Sequence, residues 1–220
     1  MVSDFSEGDG VATQAYFSGE TGFSGSEGTV LIDYPWYQLK AREEFLAQKR
    51  NYVSDTAKIG ANVVIENSYI GENVRVRENS VIENSYIGDD SMVGNFSLVR
   101  DSILGAGCMV GAYAEIARSV LKDDVSMHSG YIGDTLVGAH SKIGGSFATA
   151  NVRIDRGEIY LDLDGTSVGT GRRSFGSIIG ENARFGGGVV IMPGIIIGDN
   201  CTIGPGVMVR ANVPEGTTLY

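Results

Sequence analysis

The sequence Val-Ile-Glu-Asn-Ser-Tyr-Ile-Gly fills residues 64–71 and returns unchanged at residues 81–88, 17 positions further along the chain. Its serine keeps this offset in four successive repeats, as Ser68, Ser85, Ser102 and Ser119. In each repeat the serine is followed by two residues drawn from Ile, Val, Leu and Tyr. Repetition at a fixed period is typical of solenoids, in which one structural unit stacks on the next.

The apolar residues inside each period recur every five or six positions, most clearly in the series Ile179, Phe185, Ile191, Ile197, Ile203 and Val209. Neither the helical period of 3.6 nor the strand period of 2.0 produces this spacing. A triangular coil of three short strands does, with one inward aliphatic side chain per face and Gly, Asn, Asp or Ala at the corners. The 32 glycines fit a fold with many tight corners. The sequence therefore predicts an all-β parallel β-helix over residues 53–220, with an ordinary β-sandwich as the alternative.

Two N-terminal segments lack this period. Residues 1–32 are rich in Gly, Ser and acidic residues, which predicts an irregular or flexible arm. Residues 33–52 predict a helix and a linker, because Asp33 precedes Pro35 at a helix start and Trp36, Leu39 and Leu46 fall on one side. We expect this helix to cap the open end of the solenoid, where core and backbone would otherwise be exposed.

The repeat also stops at residues 152–176. The apolar pattern on either side of Asp164-Gly165 predicts a hairpin that is extruded from the coil. Binding residues are often added to a solenoid on such loops, because the coils themselves have no cleft. A loop without function is the alternative.

Composition excludes several classes of function. The 17 basic and 27 acidic residues give a formal charge of −10, which disfavours binding to nucleic acid. Cys108 and Cys201 belong to no metal or disulfide pattern, which favours a reducing compartment. No apolar run is long enough to span a membrane, and the N-terminus does not resemble a signal peptide. We therefore expect a cytoplasmic protein that binds neither nucleic acid nor membrane.

Few residues are candidates for chemistry. His128 carries an imidazole, a side chain that commonly acts as a general base, and could take a proton from an amine, although a surface histidine is the simpler interpretation. Asn151 could orient a substrate or merely form a corner. Arg172 and Arg173 form a basic pair suited to phosphate, although each could instead pair with surface carboxylates.

Four motifs together resemble a known family. They are Tyr34-Pro35-Trp36 with residues 39–41, the pattern His128-x-x-Tyr131-x-Gly133-Asp134, the pair Ala150-Asn151, and residues 171–176. Residues 33–220 thereby resemble the C-terminal left-handed β-helix of archaeal-type bifunctional sugar-1-phosphate nucleotidylyltransferase/amino-sugar-1-phosphate N-acetyltransferases. The resemblance implies that the coil is left-handed, which spacing alone cannot give.

The resemblance also implies a function, that of an acetyl-CoA-dependent N-acetyltransferase acting on a hexosamine 1-phosphate. His128 would be the general base, and Tyr131 and Asn151 would shape the sugar site. Further substrate contacts are expected from Lys142, Arg172 and Arg173. Acetyl-CoA would lie between neighbouring subunits of a homotrimer, and no structural metal is expected.

Three positions depart from the family pattern. Lys142 replaces an Asn, Gly188 replaces an amide side chain, and Ala117 replaces a basic residue. These changes favour a second hypothesis, a non-catalytic module that trimerises or binds a sugar nucleotide. The Gly-rich phosphate motif of the nucleotidylyltransferase half does not occur in the sequence, so we expect that domain to be lacking. A zinc-dependent carbonic anhydrase is disfavoured because it needs three histidines per site and the chain has two, His128 and His140.

Overall fold

The computed structural model describes residues 34–48 and 51–220, and its main body is a left-handed parallel β-helix. Three parallel sheets of eight, nine and eight strands form the faces of a triangular column. The strands of the first sheet are Tyr52–Val53, Tyr69–Ile70, Tyr86–Ile87, Ile103–Leu104, Val120–Leu121, Leu136–Val137, Ser177–Ile179 and Ile195–Ile197. Those of the second sheet are Lys58–Ile59, Arg75–Val76, Met92–Val93, Met109–Val110, Ser126–Met127, Lys142–Ile143, Arg184–Phe185, Thr202–Ile203 and Thr218–Leu219. Those of the third sheet are Val64–Glu66, Val81–Glu83, Leu98–Arg100, Ala114–Ala117, Gly130–Gly133, Phe147–Thr149, Val190–Ile191 and Met208–Val209.

The core of the column consists of the aliphatic series that the sequence singled out. Ile179, Ile191 and Ile203 come from the three different sheets and are at most 2% exposed. Each strand bonds to the strand one repeat away, as Tyr69 pairs with Tyr86. The predicted fold is therefore confirmed, and the stacked coils bury a continuous interior.

The repeated serines have a structural reason. The buried Ser68 hydroxyl donates to the Glu66 carbonyl and accepts the backbone N–H of Ser85, at 2.7 and 3.0 Å. The same bonds continue through Ser102 and Ser119. Because an unpaired buried N–H is costly, each serine compensates for a ladder bond that the corner interrupts.

Corners are formed mainly by Asn and Asp in the left-handed region rather than by Gly alone. Asn62 and Asn79, for example, have φ angles of 58° and 60°. Short polar side chains tolerate this conformation and bond to each other along the edge, as Asn62 does to Asn79 at 3.1 Å.

The predicted helix is present, but its place is not the predicted one. A 3₁₀ turn at Pro35–Tyr37 leads into the α-helix Gln38–Gln48, and Trp36, Leu39 and Leu46 are buried as expected. These side chains pack on the flank of the column against the first sheet, not over its open end. At that end Tyr52 remains 46% exposed. The expectation of an end cap was therefore wrong, because the outward residues of the first sheet are apolar and need a cover of their own.

The insertion contains the predicted antiparallel hairpin, with strands Tyr160–Leu163 and Thr166–Gly169 around Asp164-Gly165. It leaves the coil as predicted, with Ile154 fully exposed near its start, and its apolar side turns back onto the column. Its residues pack beside the helix in a second apolar cluster on the first sheet, formed by Trp36, Leu39, Val120, Leu136, Ile159, Leu161 and Phe175. The alternation of Ile159 and Leu161 supplies the buried side of the hairpin.

The predicted arm, residues 1–32, lies outside the described residues, as does Asp33. Cys108 and Cys201 are free and buried, and burial raises the pKa of Cys108 to about 12. Within residues 34–48 and 51–220, no helix has the length and apolar character needed to cross a membrane.

Candidate active site

A ladder of polar side chains occupies the corner between the third and first sheets. Arg118, Asp134 and Asn151 stand at this corner in successive coils, because the repeat brings each one above the last. Asp134 is 1% exposed and receives both guanidinium donors of Arg118, at 2.9 and 2.8 Å. Asn151 and Ser174 both donate to Oδ2, the carboxylate oxygen that also accepts Arg118 Nη2. The result is a rigid, fully bonded cluster at the start and end of the insertion.

This cluster fixes the charge of the buried carboxylate. Burial alone would raise the pKa of Asp134, but the hydrogen bonds from Arg118, Ser174 and Asn151 outweigh it and hold the pKa below its usual range. The same contact with Asp134 raises the pKa of Arg118. Asp134 therefore remains an anion at neutral pH and positions its neighbours rather than exchanging protons.

Tyr131 joins the cluster from the third sheet. Its hydroxyl accepts a hydrogen bond from the Asn151 amide at 3.1 Å. A Cβ at Gly133 would overlap the hydroxyl and ring of Tyr131, so the ring lies along the sheet above that glycine. The structure thus brings together Tyr131 and Asn151, as the sequence predicts for the two residues of one site.

His128 lies at the opposite edge of the third sheet, at the corner with the second sheet. Its backbone N–H bonds to Ile143, just as that of Gly111 bonds to Met127, so histidine stands where most other coils have glycine. The imidazole is exposed, and its Nδ1 lies 3.4 Å from the point that a Cβ of Gly145 would occupy. The side chain therefore rests against a corner without side chains and is accessible to a ligand.

Lys142 is exposed on the second sheet, between Ser126 and Arg184. It is on the His128 side of the column, away from Tyr131 and Asn151. The structure therefore divides the predicted substrate contacts between two edges of the third sheet.

Arg172 and Arg173 precede Ser174 at the end of the insertion. Arg172 donates to Glu43 of the helix at 3.2 Å, and Arg42 donates to the same carboxylate oxygen at 2.9 Å. Arg173 is exposed. Of these two arginines, only Arg172 has an ion-pair partner in the described part of the chain. The partner, Glu43, comes from the helix that the sequence analysis expected at the end of the column.

Sequence reasoning missed Arg118 and Ser174 and gave Asp134 no role beyond its place in a motif. The repeat period could have identified Arg118 and the role of Asp134, because residues one repeat before and after a candidate residue must be its neighbours. Ser174 had no such signal, because the insertion brings it back from 23 residues away. Within the described residues, no group of three or more His, Cys, Asp or Glu side chains is placed to hold a metal ion.

Two family models match the chain on either side of the insertion. The model described as the GMPPB C-terminal domain matches residues 47–153, and the model of six bacterial transferase hexapeptide repeats matches residues 176–211. The chain is a hexapeptide-repeat β-helix. Neither model covers the hairpin, which agrees with its position as an insertion.

Curated relatives are archaeal. The bifunctional protein GlmU of Methanococcus vannielii is 36% identical over 76 residues, which are 34% of this chain and 18% of that protein. The bifunctional sugar-1-phosphate nucleotidylyltransferase/acetyltransferase of Sulfurisphaera tokodaii is 34% identical over 68 residues, 31% of this chain and 17% of that protein. GlmU of Methanocaldococcus jannaschii is 31% identical over 104 residues, 47% of this chain and 25% of that protein. The resemblance to the β-helix of these enzymes is confirmed, and the aligned segments span a quarter or less of the relatives' own lengths.

Solved structures also align with the chain. The polysialic acid O-acetyltransferase OatWY covers 74% of this chain and 80% of its own, with 18% identity and a TM-score of 0.37. UDP-N-acetylglucosamine acyltransferase from Campylobacter jejuni covers 71% of this chain and 68% of its own, with 13% identity and a TM-score of 0.43.

Proposed function

We propose that the chain is an acetyl-CoA-dependent N-acetyltransferase that acts on a hexosamine 1-phosphate. The observation that carries this proposal is the placement of side chains on the third sheet. The accessible imidazole of His128 lies at one edge, and the hydrogen-bonded pair Tyr131 and Asn151 lies at the other. The relative from Sulfurisphaera tokodaii, which is named for acetyl transfer, supports the same reaction class.

The chemistry requires an uncharged amine. His128 takes a proton from the ammonium group, the nitrogen attacks the thioester carbonyl, and the C–S bond breaks as the amide forms. The thiolate of CoA takes up the second proton, which the nitrogen loses as the amide forms. Arg172 and Arg173 provide guanidinium donors for the phosphate, and Tyr131 with Asn151 orients the sugar.

The separation of these groups bears on how the site is assembled. His128 and Asp134 stand six residues apart on either side of the third sheet, a span of roughly 20 Å at about 3.3 Å per residue. A hexosamine 1-phosphate carries its amine and phosphate on adjacent carbons, so one column cannot present both His128 and Arg172 to one sugar. This geometry supports a homotrimer in which each site lies at a seam and takes residues from two columns.

A second function, a non-catalytic module that trimerises or binds a sugar nucleotide, is favoured by one observation. Ala117 pairs with Arg100 and Gly133 in the third sheet, so the position of the family's basic residue carries a buried methyl group. The adjacent cation, Arg118, is committed to Asp134. With no unpaired cation at this position among the described residues, the site would bind its ligand without transferring the acetyl group.

Thiol release from acetyl-CoA distinguishes the two functions. We expect turnover with glucosamine 1-phosphate or galactosamine 1-phosphate, and a loss of roughly a hundredfold or more in His128→Ala. His140→Ala is the matched control, because His140 is also exposed and its imidazole lies 3.3 Å from the carboxylate of Asp124. Absence of turnover by the wild type with both sugars would favour the binding module, and full activity of His128→Ala would exclude His128 as the base.

A further inference from the structure

A pair of exposed aromatic rings stands at the same corner as His128, in the two preceding coils. Phe96 and Tyr113 stack with their centroids 5.3 Å apart and an interplanar angle of 5°. They are 53% and 71% exposed. Such exposure is costly for large side chains in water and marks a contact surface.

The backbone at these residues is also unusual. Phe96 and Tyr113 have φ angles of 56° and 58°, in the left-handed region that bulky residues rarely adopt. Asn62 and Asn79 occupy the same corner in the coils before them. Two aromatic residues therefore adopt a strained backbone conformation at a corner that asparagine forms elsewhere, which points to a role for the rings.

The coil after Tyr113 lacks the equivalent corner residue. Two residues separate Gly111 from Ala114, but only Ser129 separates His128 from Gly130, and the strand pairing changes from 17 to 16 positions as a result. Gly130 adopts a φ of 123° to close this shortened corner. The ridge of side chains along the corner therefore ends at Tyr113, and a notch follows it.

The ring face of Tyr113 that is turned away from Phe96 looks into this notch. His128 borders the notch within the same shortened coil, and Ser129 lies at its floor, bonded through Oγ to the N–H of Ser146. Coils are about 4.8 Å apart, so a ring stacked on Tyr113 would lie at the level of His128.

We infer that Tyr113 is the platform on which the pyranose ring of the acceptor amino sugar lies, with its amine directed at His128. The inference rests on the proposed function and adds to it a residue that sets sugar binding. A pyranose fits because its C–H face meets the negative face of an aromatic ring, while its hydroxyls need polar neighbours. Ser129 at the floor of the notch and the exposed Ser146 in the coil beyond it supply such neighbours. Phe96 supports Tyr113 from below.

Direct binding tests this role without relying on turnover. Calorimetric titration of the full chain with glucosamine 1-phosphate should show about a tenfold weaker Kd in Tyr113→Ala and a change within about twofold in Tyr113→Phe. Tyr52→Ala is the matched control, because Tyr52 is 46% exposed and also packs on an aromatic ring, Tyr69, with centroids 5.1 Å apart on the first sheet. In the transfer assay Tyr113→Ala should raise KM for the sugar and leave kcat nearly unchanged.

The outcomes separate the two proposals. If the wild type binds the sugar through Tyr113 but transfers no acetyl group, the proposed function is wrong and the role of Tyr113 stands. If the wild type transfers the acetyl group and Tyr113→Ala leaves KM and Kd for the sugar unchanged, the proposed function stands and the role of Tyr113 is wrong. Light scattering of the same samples reports whether Tyr113→Ala dissociates the assembly, and titration with CoA reports whether it weakens CoA binding. If either effect occurs while the Kd for the sugar is unchanged, the ring contacts another partner and the inference is wrong.

Discussion

Replacing Asp134 by asparagine removes the one buried charge that organises the candidate site. The carboxylate is 1% exposed and accepts two bonds from Arg118. An asparagine keeps the shape but turns an N–H₂ group towards donors on Arg118, Asn151 or Ser174. Arg118 is then left with no described counter-charge in hydrogen-bond contact, and the variant should be clearly less stable.

The size of the effect follows from burial. Breaking a fully buried ion pair costs about 3–5 kcal/mol. The side chain of Arg118 is 31% exposed, so water partly restores its solvation and we expect a loss of about 2–3 kcal/mol. The same substitution releases Asn151 and Tyr131, so KM for the sugar should rise with it.

The effect should depend on pH in a definite direction. The folded-state pKa of Asp134 lies below its usual value because of its hydrogen bonds, so the carboxylate stabilises the fold above pH ~4. This contribution is lost as pH falls through the lowered folded-state pKa. The difference in stability between the wild type and Asp134→Asn should therefore be constant near neutral pH and shrink in acid.

Urea unfolding at fixed protein concentration measures these differences. Asp155→Asn provides the control, because Arg153 holds Asp155 through the same two-bond geometry, at 2.9 and 2.6 Å, on the exposed part of the insertion. Solvent screening should leave that variant close to the wild type. Equal losses in both variants, or a gap at Asp134 that grows in acid, would refute the reasoning.

Two further substitutions test the surroundings of the site. Arg42→Met should raise the free energy of unfolding by about 1–2 kcal/mol. The reason is that Arg42 is 3% exposed and its Nε and Nη1 have no hydrogen-bond partner among the described residues. A lower urea midpoint in this variant would contradict the prediction. Gly133→Ala should displace the Tyr131 ring and break its bond to Asn151, which raises the sugar KM by roughly tenfold while the column stays folded, as circular dichroism can verify. An unchanged KM in that variant would show that Tyr131 does not contact the sugar.

The column could be predicted from sequence because its period is imposed by stacking. Once one strand pairs with the strand a repeat away, the positions of Ser68, Ser85 and Ser102 follow, and so do the buried Ile179 and Ile191. The pairs that lie within the repeat, such as Arg118 with Asp134, were also accessible to this reasoning.

The flank of the column was not accessible in the same way. The packing of Trp36 and Leu161 on the first sheet depends on contacts between segments far apart in the chain, and no period relates them. The outward residues of that sheet, such as Val120 and Leu136, carried the missing signal: an apolar side chain on an outer face requires a cover. These apolar outer residues predict a helix on the flank of the column rather than over its open end.

The departures from the repeat fall together, and this agrees with a single site. The pairing offset is 17 up to Tyr113, drops to 16 across the coil of His128, and is interrupted by the insertion directly after Asn151. Stacking does not require these breaks, because the three sheets continue through both of them. Both breaks lie at the two edges of one stretch of the third sheet, the stretch that carries Tyr131. The sheet that would otherwise be a flat wall is thereby given a notch on one side and a polar cluster on the other, which is what a ligand at a seam between columns would need.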